Sequence, residues 1–333
     1  MTIQKANGTK ARSMANETPY TRPGLRRYAW FVLAYSVLVV LWGGVVRATG
    51  SGAGCGDHWP LCNGVVVPQA PQLHTIIEFT HRLMSGAILV FVLVLLGWTW
   101  LATQRRAFAR WAAVASMVLV LNEALLGALL VLLRLVAQDQ SAARGVYLSI
   151  HFANTMLLLA ALTLTAEFLS RPYPRGTTLR RGALLFPALA LGAMVLVGVS
   201  GSLAALGDTL YPATSLAGSL QQDFSATSSL LLRLRWVHPA SAFLAGAFVL
   251  WLLLQTLRKG APERGRRLAL AVLFLLLTQY ALGVANILLL APVWMQIVHL
   301  FFADMLWISL VLLTARFYGP VYQTNPTYSI TEM

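Results

Sequence analysis

Eight long apolar stretches, separated by short polar segments, constrain the fold of this chain more than any other feature. Each stretch has about 20 predominantly apolar residues, which as a helix is long enough to cross the hydrocarbon core of a bilayer. Only 11% of the residues are charged, whereas soluble domains contain about 25%. The sequence therefore predicts an all-α integral membrane protein. We expect its spans at 28–48, 74–101, 111–133, 146–169, 183–205, 234–257, 268–290 and 294–316.

The lysines and arginines between the apolar stretches predict the orientation in the membrane. Nineteen of them lie on one side and five on the other, and cytoplasmic loops carry the excess of basic residues. We therefore expect both termini in the cytoplasm, with tails at 1–27 and 317–333, the first of them disordered. The longest loops, 49–73 and 206–233, then lie outside. This topology explains the net charge of +14, so the charge does not indicate nucleic-acid binding.

The two halves of the chain resemble one another. The segment Glu123–Gly127 in the third span matches Gln279–Gly283 in the seventh, and the first and fifth spans both end in segments containing glycine and serine. Each half has four spans, so both halves run through the membrane in the same direction. The sequence predicts two tandem four-helix bundles, 28–169 and 183–316, related by a pseudo-two-fold axis along the membrane normal.

Four of the six histidines lie one in each even-numbered span: His81, His151, His238 and His299. Each follows the start of an inward-running helix by about five to eight residues, which places all four roughly 8–12 Å below the outer helix ends. A single membrane histidine usually hydrogen-bonds a neighbouring helix or lines a polar cavity. Four at equivalent positions favour two bis-histidine sites of the kind that hold heme iron inside a helix bundle. Zinc, which needs three or four converging ligands, fits less well.

Two other kinds of protein must be weighed against an oxidoreductase that acts on heme. A di-heme cytochrome b that only transfers electrons commonly stacks its hemes across the bilayer, with two histidines on one helix. Here each helix has one histidine and all four share one leaflet. A transporter built from tandem repeats binds its substrate near the midplane, on broken helices. The even-numbered helices of this chain look continuous, and their polar residues lie close to one face.

The first outer loop and the helix after it resemble the heme A synthase family. The residues that carry the resemblance are Gly43–Gly64, with its Cys-Gly-Asp-His-Trp-Pro-Leu-Cys segment, and Ile77–Arg82, with a Glu-x-x-His-Arg motif. The similarity extends over 28–316. It implies that heme O is converted to heme A for cytochrome oxidase by successive oxidations of a ring methyl to a formyl group, with oxygen from water. It also implies a bacterial inner-membrane protein with its heme sites near the outer face.

The resemblance further implies a different role for each half. The N-terminal half would bind the substrate heme O, and the product heme A, between His81 and His151. The C-terminal half would hold a resident heme b between His238 and His299. Glu78 lies one turn before His81 on the same helix face, and we regard it as the catalytic residue, because a carboxylate there is able to relay protons. Its alternative roles are to orient a histidine or to cap the helix.

Three arginines are candidates for binding heme propionates. Arg235 lies three residues before His238, where the first half has Glu78, and Arg47 and Arg82 lie near the outer ends of the first two spans. A guanidinium binds a carboxylate in a bidentate manner, which suits a propionate. The alternative for each arginine is an interfacial anchor that reaches lipid headgroups.

Cys55 and Cys62 are the only cysteines, and both lie in the first outer loop. The outer side of a bacterial membrane permits a disulfide, and the resemblance implies a pair of this kind. The pair would be either a structural link or redox-active, and these two roles stay open. A metal site with His58 is a third and less favoured alternative.

Glu123 departs from the family pattern, in which glutamine is usual at this position. A carboxyl inside a membrane span is costly unless it is paired or protonated. Glu123 is either a second proton-relay group or a neutral hydrogen-bonding substitute for glutamine, and we favour the second role. The partners that the resemblance suggests are heme O synthase and cytochrome oxidase assembly factors, with a homo-oligomer left open.

Overall fold

A computed structural model describes residues 22–104, 107–171, 177–178, 185–225, 227–258, 263–319 and 321–322. Most of the two predicted tails lies outside the described residues. So do some of the basic residues that the orientation prediction counts: Lys5, Lys10, Arg12, Arg105, Arg106, Arg175, Arg180, Arg181 and Lys259.

Ten α-helices lie in the described part of the chain. They are α1 (Pro23–Ala48), α2 (Leu73–Ala102), α3 (Phe108–Leu132), α4 (Ala142–Ser170), α5 (Leu185–Leu210), α6 (Leu216–Phe224), α7 (Leu230–Arg233), α8 (Val237–Arg258), α9 (Glu263–Leu288) and α10 (Val293–Tyr318). A 3-10 turn covers Ser51–Ala53, and the two-residue strands β1 (Thr177–Thr178) and β2 (Val321–Tyr322) pair antiparallel.

The described helices form eight segments that are long and apolar enough to cross a membrane, which confirms the number of predicted spans. The seven helices α1 to α5, α9 and α10 each form one such segment, and the eighth runs through α7 and α8 from Leu230 to Arg258. Helix α1 begins earlier than predicted, so residues 23–27 are helical rather than part of a disordered tail. Pro23 lies in the first turn of α1, where its fixed φ suits a helix and its missing N–H costs nothing.

The fifth span is also longer than predicted, ending at Leu210 rather than at residue 205. Its last turn contains Asp208, which hydropathy would exclude from an apolar helix. The carboxylate of Asp208 accepts a hydrogen bond from Arg235 at 2.9 Å. Because this ion pair compensates the charge, the helix continues through it.

The contacts between helices follow the same scheme in both halves of the chain. In the first half, α2 packs against α1 and α3, and α4 packs against α1 and α3. In the second half, α8 packs against α5 and α9, and α10 packs against α5 and α9. Between the halves, α1 contacts α10, α4 contacts α5, and α4 contacts α10. The two bundles are therefore joined along several helices.

One apolar core runs through both bundles. It contains buried side chains from all eight membrane-crossing elements. Large apolar side chains also cover much of the outer surface: Leu101 is 84% exposed and Phe243 is 69% exposed. A soluble protein rarely shows an apolar surface of this extent, whereas lipid chains solvate it well. The helices therefore bury one face in the bundle and present the other to the membrane.

A buried charge cluster joins the two halves at the end of the bundle where α4 and α10 finish. Glu167 on α4 is 0% exposed. Its carboxylate accepts hydrogen bonds from Arg316 of α10 at 2.9 and 2.8 Å, and Arg171 lies 2.8 Å away. A buried carboxylate with two guanidinium partners is well compensated.

Candidate functional site

Each of the four predicted histidines packs against a glycine of the preceding membrane helix. The pairs are His81 with Gly43, His151 with Gly127, His238 with Gly201 and His299 with Gly283. A Cβ atom at these glycines would lie 3.1, 3.9, 2.9 and 3.6 Å, respectively, from the Cε1 atom of the ring. The rings thus approach the backbone of the neighbouring helix. The approach is closest at Gly201, where a side chain larger than that of glycine would displace the ring of His238.

The two histidines of the second half lie close together. The ring centroids of His238 and His299 are 6.4 Å apart, with the ring planes at 89°. A bond between a metal and an imidazole nitrogen is about 2 Å long, so two rings that share one metal have centroids roughly 6 Å apart. The observed spacing therefore fits a single iron between these two rings.

The Nδ1 atom of His238 lies 3.2 Å from the carbonyl oxygen of Val197 and 3.3 Å from the hydroxyl of Ser200. A ring that donates from Nδ1 keeps the lone pair of Nε2 for a metal. The Nδ1 atoms of His81, His151 and His299 are buried and form no hydrogen bond in the described part of the chain. Nδ1 of His151 lies 3.5 Å from the Glu123 carboxylate, whereas those of His81 and His299 have no polar partner among the described residues.

Glu78 is buried, with only 3% of its surface exposed. Its Oε2 atom accepts a hydrogen bond from the backbone amide of Cys55 at 2.8 Å. Its Oε1 atom accepts from Arg82, at 3.1 Å from Nε and 2.5 Å from Nη2. The carboxylate therefore does not cap its own helix, because its donors come from the loop that contains Cys55 and from the next turn of α2.

The predicted disulfide between Cys55 and Cys62 is formed. Since both sulfur atoms are bonded to each other, they do not form a metal site with His58. The guanidinium of Arg82 also donates from Nη1 to the carbonyl oxygens of His58 and Leu61, at 2.6 and 2.7 Å. Arg82 thus ties the disulfide loop to α2, and one Nη2 hydrogen remains beyond these contacts.

The other two candidate arginines also have protein partners. Arg47, on α1, donates to the carbonyl oxygen of Ala205 and the hydroxyl of Thr209 on α5, and to the side chain of Gln296 on α10, at 2.7, 2.8 and 2.7 Å. It therefore bridges the two halves of the chain at the histidine end of the bundle.

Arg235 is 8% exposed and holds the segment before α8. It donates to Asp223 at 2.6 Å and to Asp208 at 2.9 Å, and its Nη2 atom contacts the Ser219 carbonyl and the Gln222 side chain at 3.3 and 3.2 Å. Three of these partners belong to α6, so Arg235 fixes this short helix over the end of the second bundle. A propionate at Arg235 would have to share or displace these contacts.

Glu123 lies beside His151. Its two carboxylate oxygens accept hydrogen bonds from the Asn154 amide and the Thr155 hydroxyl, and Oε1 is 3.5 Å from Nδ1 of His151. Asn154 in turn accepts from Asn122 at 2.8 Å. The carboxyl group therefore has polar partners inside its span, as its cost in a membrane requires.

Sequence reasoning identified the histidines but missed the glycines beneath them. The signal was present, since Gly127 and Gly283 end the two segments that match between the halves. The reasoning also missed Asn154 and the Glu167 cluster, because polar residues inside a span are not assigned partners by hydropathy.

Comparison with known proteins gives a family model described as "Cytochrome oxidase assembly protein", which matches residues 26–311. The chain is 43% identical over 291 residues to a "Protoheme IX farnesyltransferase" of Thermus thermophilus, covering 87% of this chain and 48% of that protein. It is 38% identical over 128 residues to a "Heme A synthase" of Alkalihalophilus pseudofirmus, covering 38% of this chain and 40% of that protein.

A "Heme A synthase" of Bacillus licheniformis is 42% identical over 122 residues, which are 37% of this chain and 40% of that protein. The chain therefore spans about half the length, or less, of the curated relatives it matches.

Proposed function

This chain belongs to the cytochrome oxidase assembly protein family, and from that membership we propose that it is a heme A synthase, which oxidises a ring methyl of heme O to a formyl group. The observation that carries the proposal is the unequal surroundings of the two histidine pairs. A buried carboxylate, Glu78, lies one turn before His81, whereas the corresponding Arg235 before His238 is engaged with α6. One pair has an acid suited to proton transfer, and the other has none at that position.

We propose that His81 and His151 bind the substrate in the N-terminal half, 28–169. Conversion of a methyl group and one water to a formyl group releases four protons and four electrons. Glu78 would accept protons and pass them outward, because Arg82 and the Cys55 amide fix its carboxylate at the edge of the outer loop. The relatives named "Heme A synthase" support this substrate.

We propose that His238 and His299 hold a resident heme b in the C-terminal half, 183–316. Their 6.4 Å ring spacing supports one iron between them. When bound, this heme would supply one-electron transfer. The residues of the chain would orient it: Val197 accepts from His238, and Gly201 and Gly283 leave room for the two rings.

For Arg47, Arg82 and Arg235, binding of propionates stays a prediction. Their observed partners support a positioning role, in which they join α1 to the second half, the disulfide loop to α2, and α6 to α8. A propionate would reach only the N–H groups that these contacts leave over.

The proposed architecture has two bundles related by a pseudo-two-fold axis, with both termini in the cytoplasm. The helix contacts support the axis, because exchanging the two halves converts the α1–α10 contact into the α5–α4 contact. The disulfide supports an outer position for the first loop, since disulfides persist in oxidising compartments. The histidines would then lie near the outer face of a bacterial cell membrane.

A heme O synthase and oxidase assembly factors are the proposed partners. The Thermus thermophilus relative named "Protoheme IX farnesyltransferase" supports a heme O synthase as a partner, because a segment similar to this chain makes up 48% of that relative's length. A protein that attaches a farnesyl group to protoheme would deliver the substrate proposed for this chain.

The proposal is tested by expressing the chain in membranes that make heme O but no heme A, then extracting the hemes and identifying them by mass. We expect heme A, or its hydroxymethyl precursor, to appear. If a folded, heme-loaded preparation supplied with electron acceptors forms neither, the chain is an electron-transfer cytochrome rather than a synthase.

The role of Glu78 is tested by Glu78→Gln, which keeps the size of the side chain. We expect heme binding to persist and formation of heme A to fall by about 100-fold or more, the usual contribution of a general acid–base group. The matched control is Glu263→Gln, an exposed carboxylate of α9 that pairs with Arg267. Undiminished turnover in Glu78→Gln would exclude the assigned role.

A further inference from the structure

The two histidine pairs differ at a second position, on α3 and α9. Glu123 lies four residues before Gly127, the glycine that contacts His151, and Gln279 lies four residues before Gly283, which contacts His299. The two side chains therefore occupy corresponding positions in the two halves. Their contacts with the adjacent histidines are different.

Glu123 places a carboxylate beside an imidazole nitrogen. Its Oε1 atom is 3.5 Å from Nδ1 of His151. Asn154 and Thr155, from the same face of α4, donate to the two carboxylate oxygens. These donors fix the carboxylate where it faces the ring nitrogen that points away from a metal bound at Nε2.

Gln279 gives its histidine no such neighbour. Its amide nitrogen donates to the backbone carbonyl of His299 at 2.9 Å, not to the ring. The Nδ1 atoms of His151 and His299 are both buried and form no hydrogen bond in the described part of the chain, and neither does Oε1 of Gln279, so the two surroundings differ by the carboxylate 3.5 Å from Nδ1 of His151. The second half therefore holds the ring of His299 beside a neutral amide.

A carboxylate near the outer nitrogen of a ligating imidazole makes the ligand more basic and stabilises the oxidised metal. The effect is strong where little water screens the charge. His151 and Glu123 are only partly exposed, with 23% and 21% of their side-chain surfaces accessible. A difference of one carboxylate between the two sites is therefore large enough to separate their reduction potentials.

We propose that Glu123 is a positioning residue that orients His151 and lowers the reduction potential of the iron bound there below that of the iron in the second half. This inference rests on the proposed function, because it takes His151 and His299 as iron ligands. It assigns Glu123 an electrostatic role, and not only the role of a substitute for glutamine. The order of potentials favours loss of electrons from the half that binds the substrate.

The test exchanges the two side chains in the full-length, heme-loaded protein. Glu123→Gln should raise the potential of the first-half heme by about 59 mV, a tenfold change in its reduction equilibrium. Gln279→Glu should lower the potential of the second-half heme by a similar amount. Spectroelectrochemical titration measures both, and a His299→Ala preparation identifies which transition belongs to which half.

Unchanged potentials in a heme-loaded Glu123→Gln protein would overturn the inference. If that variant loses its first-half heme, Gln279→Glu decides the matter, and an unshifted second-half potential then overturns it. The proposed function fails separately. If the wild-type protein makes no heme A but the potentials of the two variants shift as expected, the chain is not a heme A synthase and the role of Glu123 still stands.

Discussion

At the scale of single residues, the glycines that contact the histidine rings have little space for a larger side chain. A Cβ at Gly201 would lie 2.9 Å from the ring of His238, closer than ordinary contacts allow, whereas a Cβ at Gly283 would lie 3.6 Å from the ring of His299. Both glycines belong to the same proposed heme site. The ring approaches the helix more closely at Gly201 than at Gly283.

This pair gives a prediction with its own control. Gly201→Ala should displace the His238 ring and remove most of the second-half heme, while Gly283→Ala should retain it. Alanine is otherwise favourable in a helix by roughly 0.5–1 kcal/mol, so folding should survive both changes. Heme content per protein, measured from absorption spectra, checks the result. Equal heme content in the two variants would contradict a packing role for Gly201.

The sequence supplies candidate site residues, but it does not predict their contacts. The spacing along each even-numbered span identified the four histidines. The proximity of Glu123 to His151, and of Gly43 to His81, depends on the distance between two helices, which no single-helix pattern contains. Side-chain contacts between helices in lipid are set by packing, and they therefore required the structure.

At the scale of elements, the disulfide loop and the start of α2 form one unit. The Cys55 amide donates to Glu78, and Arg82 contacts both Glu78 and the carbonyls of His58 and Leu61. The conformation of the loop therefore determines where the carboxylate of Glu78 lies.

Replacing both cysteines by serine should release this loop. A disulfide that closes so short a loop contributes roughly 2–3 kcal/mol, and its loss lets the Cys55 amide move away from Glu78. We expect formation of heme A to fall severalfold while heme content is retained. Treating the wild-type protein with a reductant should reproduce the loss and leave the serine variant unaffected. Full activity in the serine variant would show that the loop does not position Glu78.

Elements long enough to span a bilayer were predictable, and short ones were not. The number of spans follows from hydropathy, with ends displaced where an ion pair such as Asp208–Arg235 extends a helix. Helix α6 has nine residues, and three of them contact Arg235, which lies outside the helix. Isolated helices of this length are unstable in water.

At the scale of the whole molecule, the two halves are held together by a few polar contacts within a continuous apolar core. Glu167 and Arg316 link α4 to α10 at one end, and Arg47 links α1 to α5 and α10 at the other. Trp307 of α10 adds a hydrogen bond to the carbonyl of Met156, at 2.8 Å.

The contribution of the buried cluster to the free energy of unfolding is predicted by comparing substitutions of Glu167 and Glu263. Glu167→Ala removes the buried acceptor shared by Arg171 and Arg316, whose side chains are 44% and 27% exposed, which should cost roughly 1.5–3 kcal/mol for the charged hydrogen bonds lost. Glu263→Ala removes only an exposed pair with Arg267, which should cost about 1 kcal/mol or less. Thermal unfolding in detergent measures the two changes. Similar losses in both variants would show that the cluster does not stabilise the junction.

The bridge made by Arg47 has a consequence for how the two sites fill. Its partner Gln296 lies one turn before His299, its partner Ala205 lies one turn after Gly201, and Arg47 itself lies one turn after Gly43. Arg47 therefore connects the helix that packs against His81 with the two second-half helices that carry Gly201 and His299. If the two proposed heme sites are coupled through this bridge, the linkage is reciprocal: the factor by which a ligand of the second half tightens binding in the first equals the factor by which a ligand of the first half tightens binding in the second.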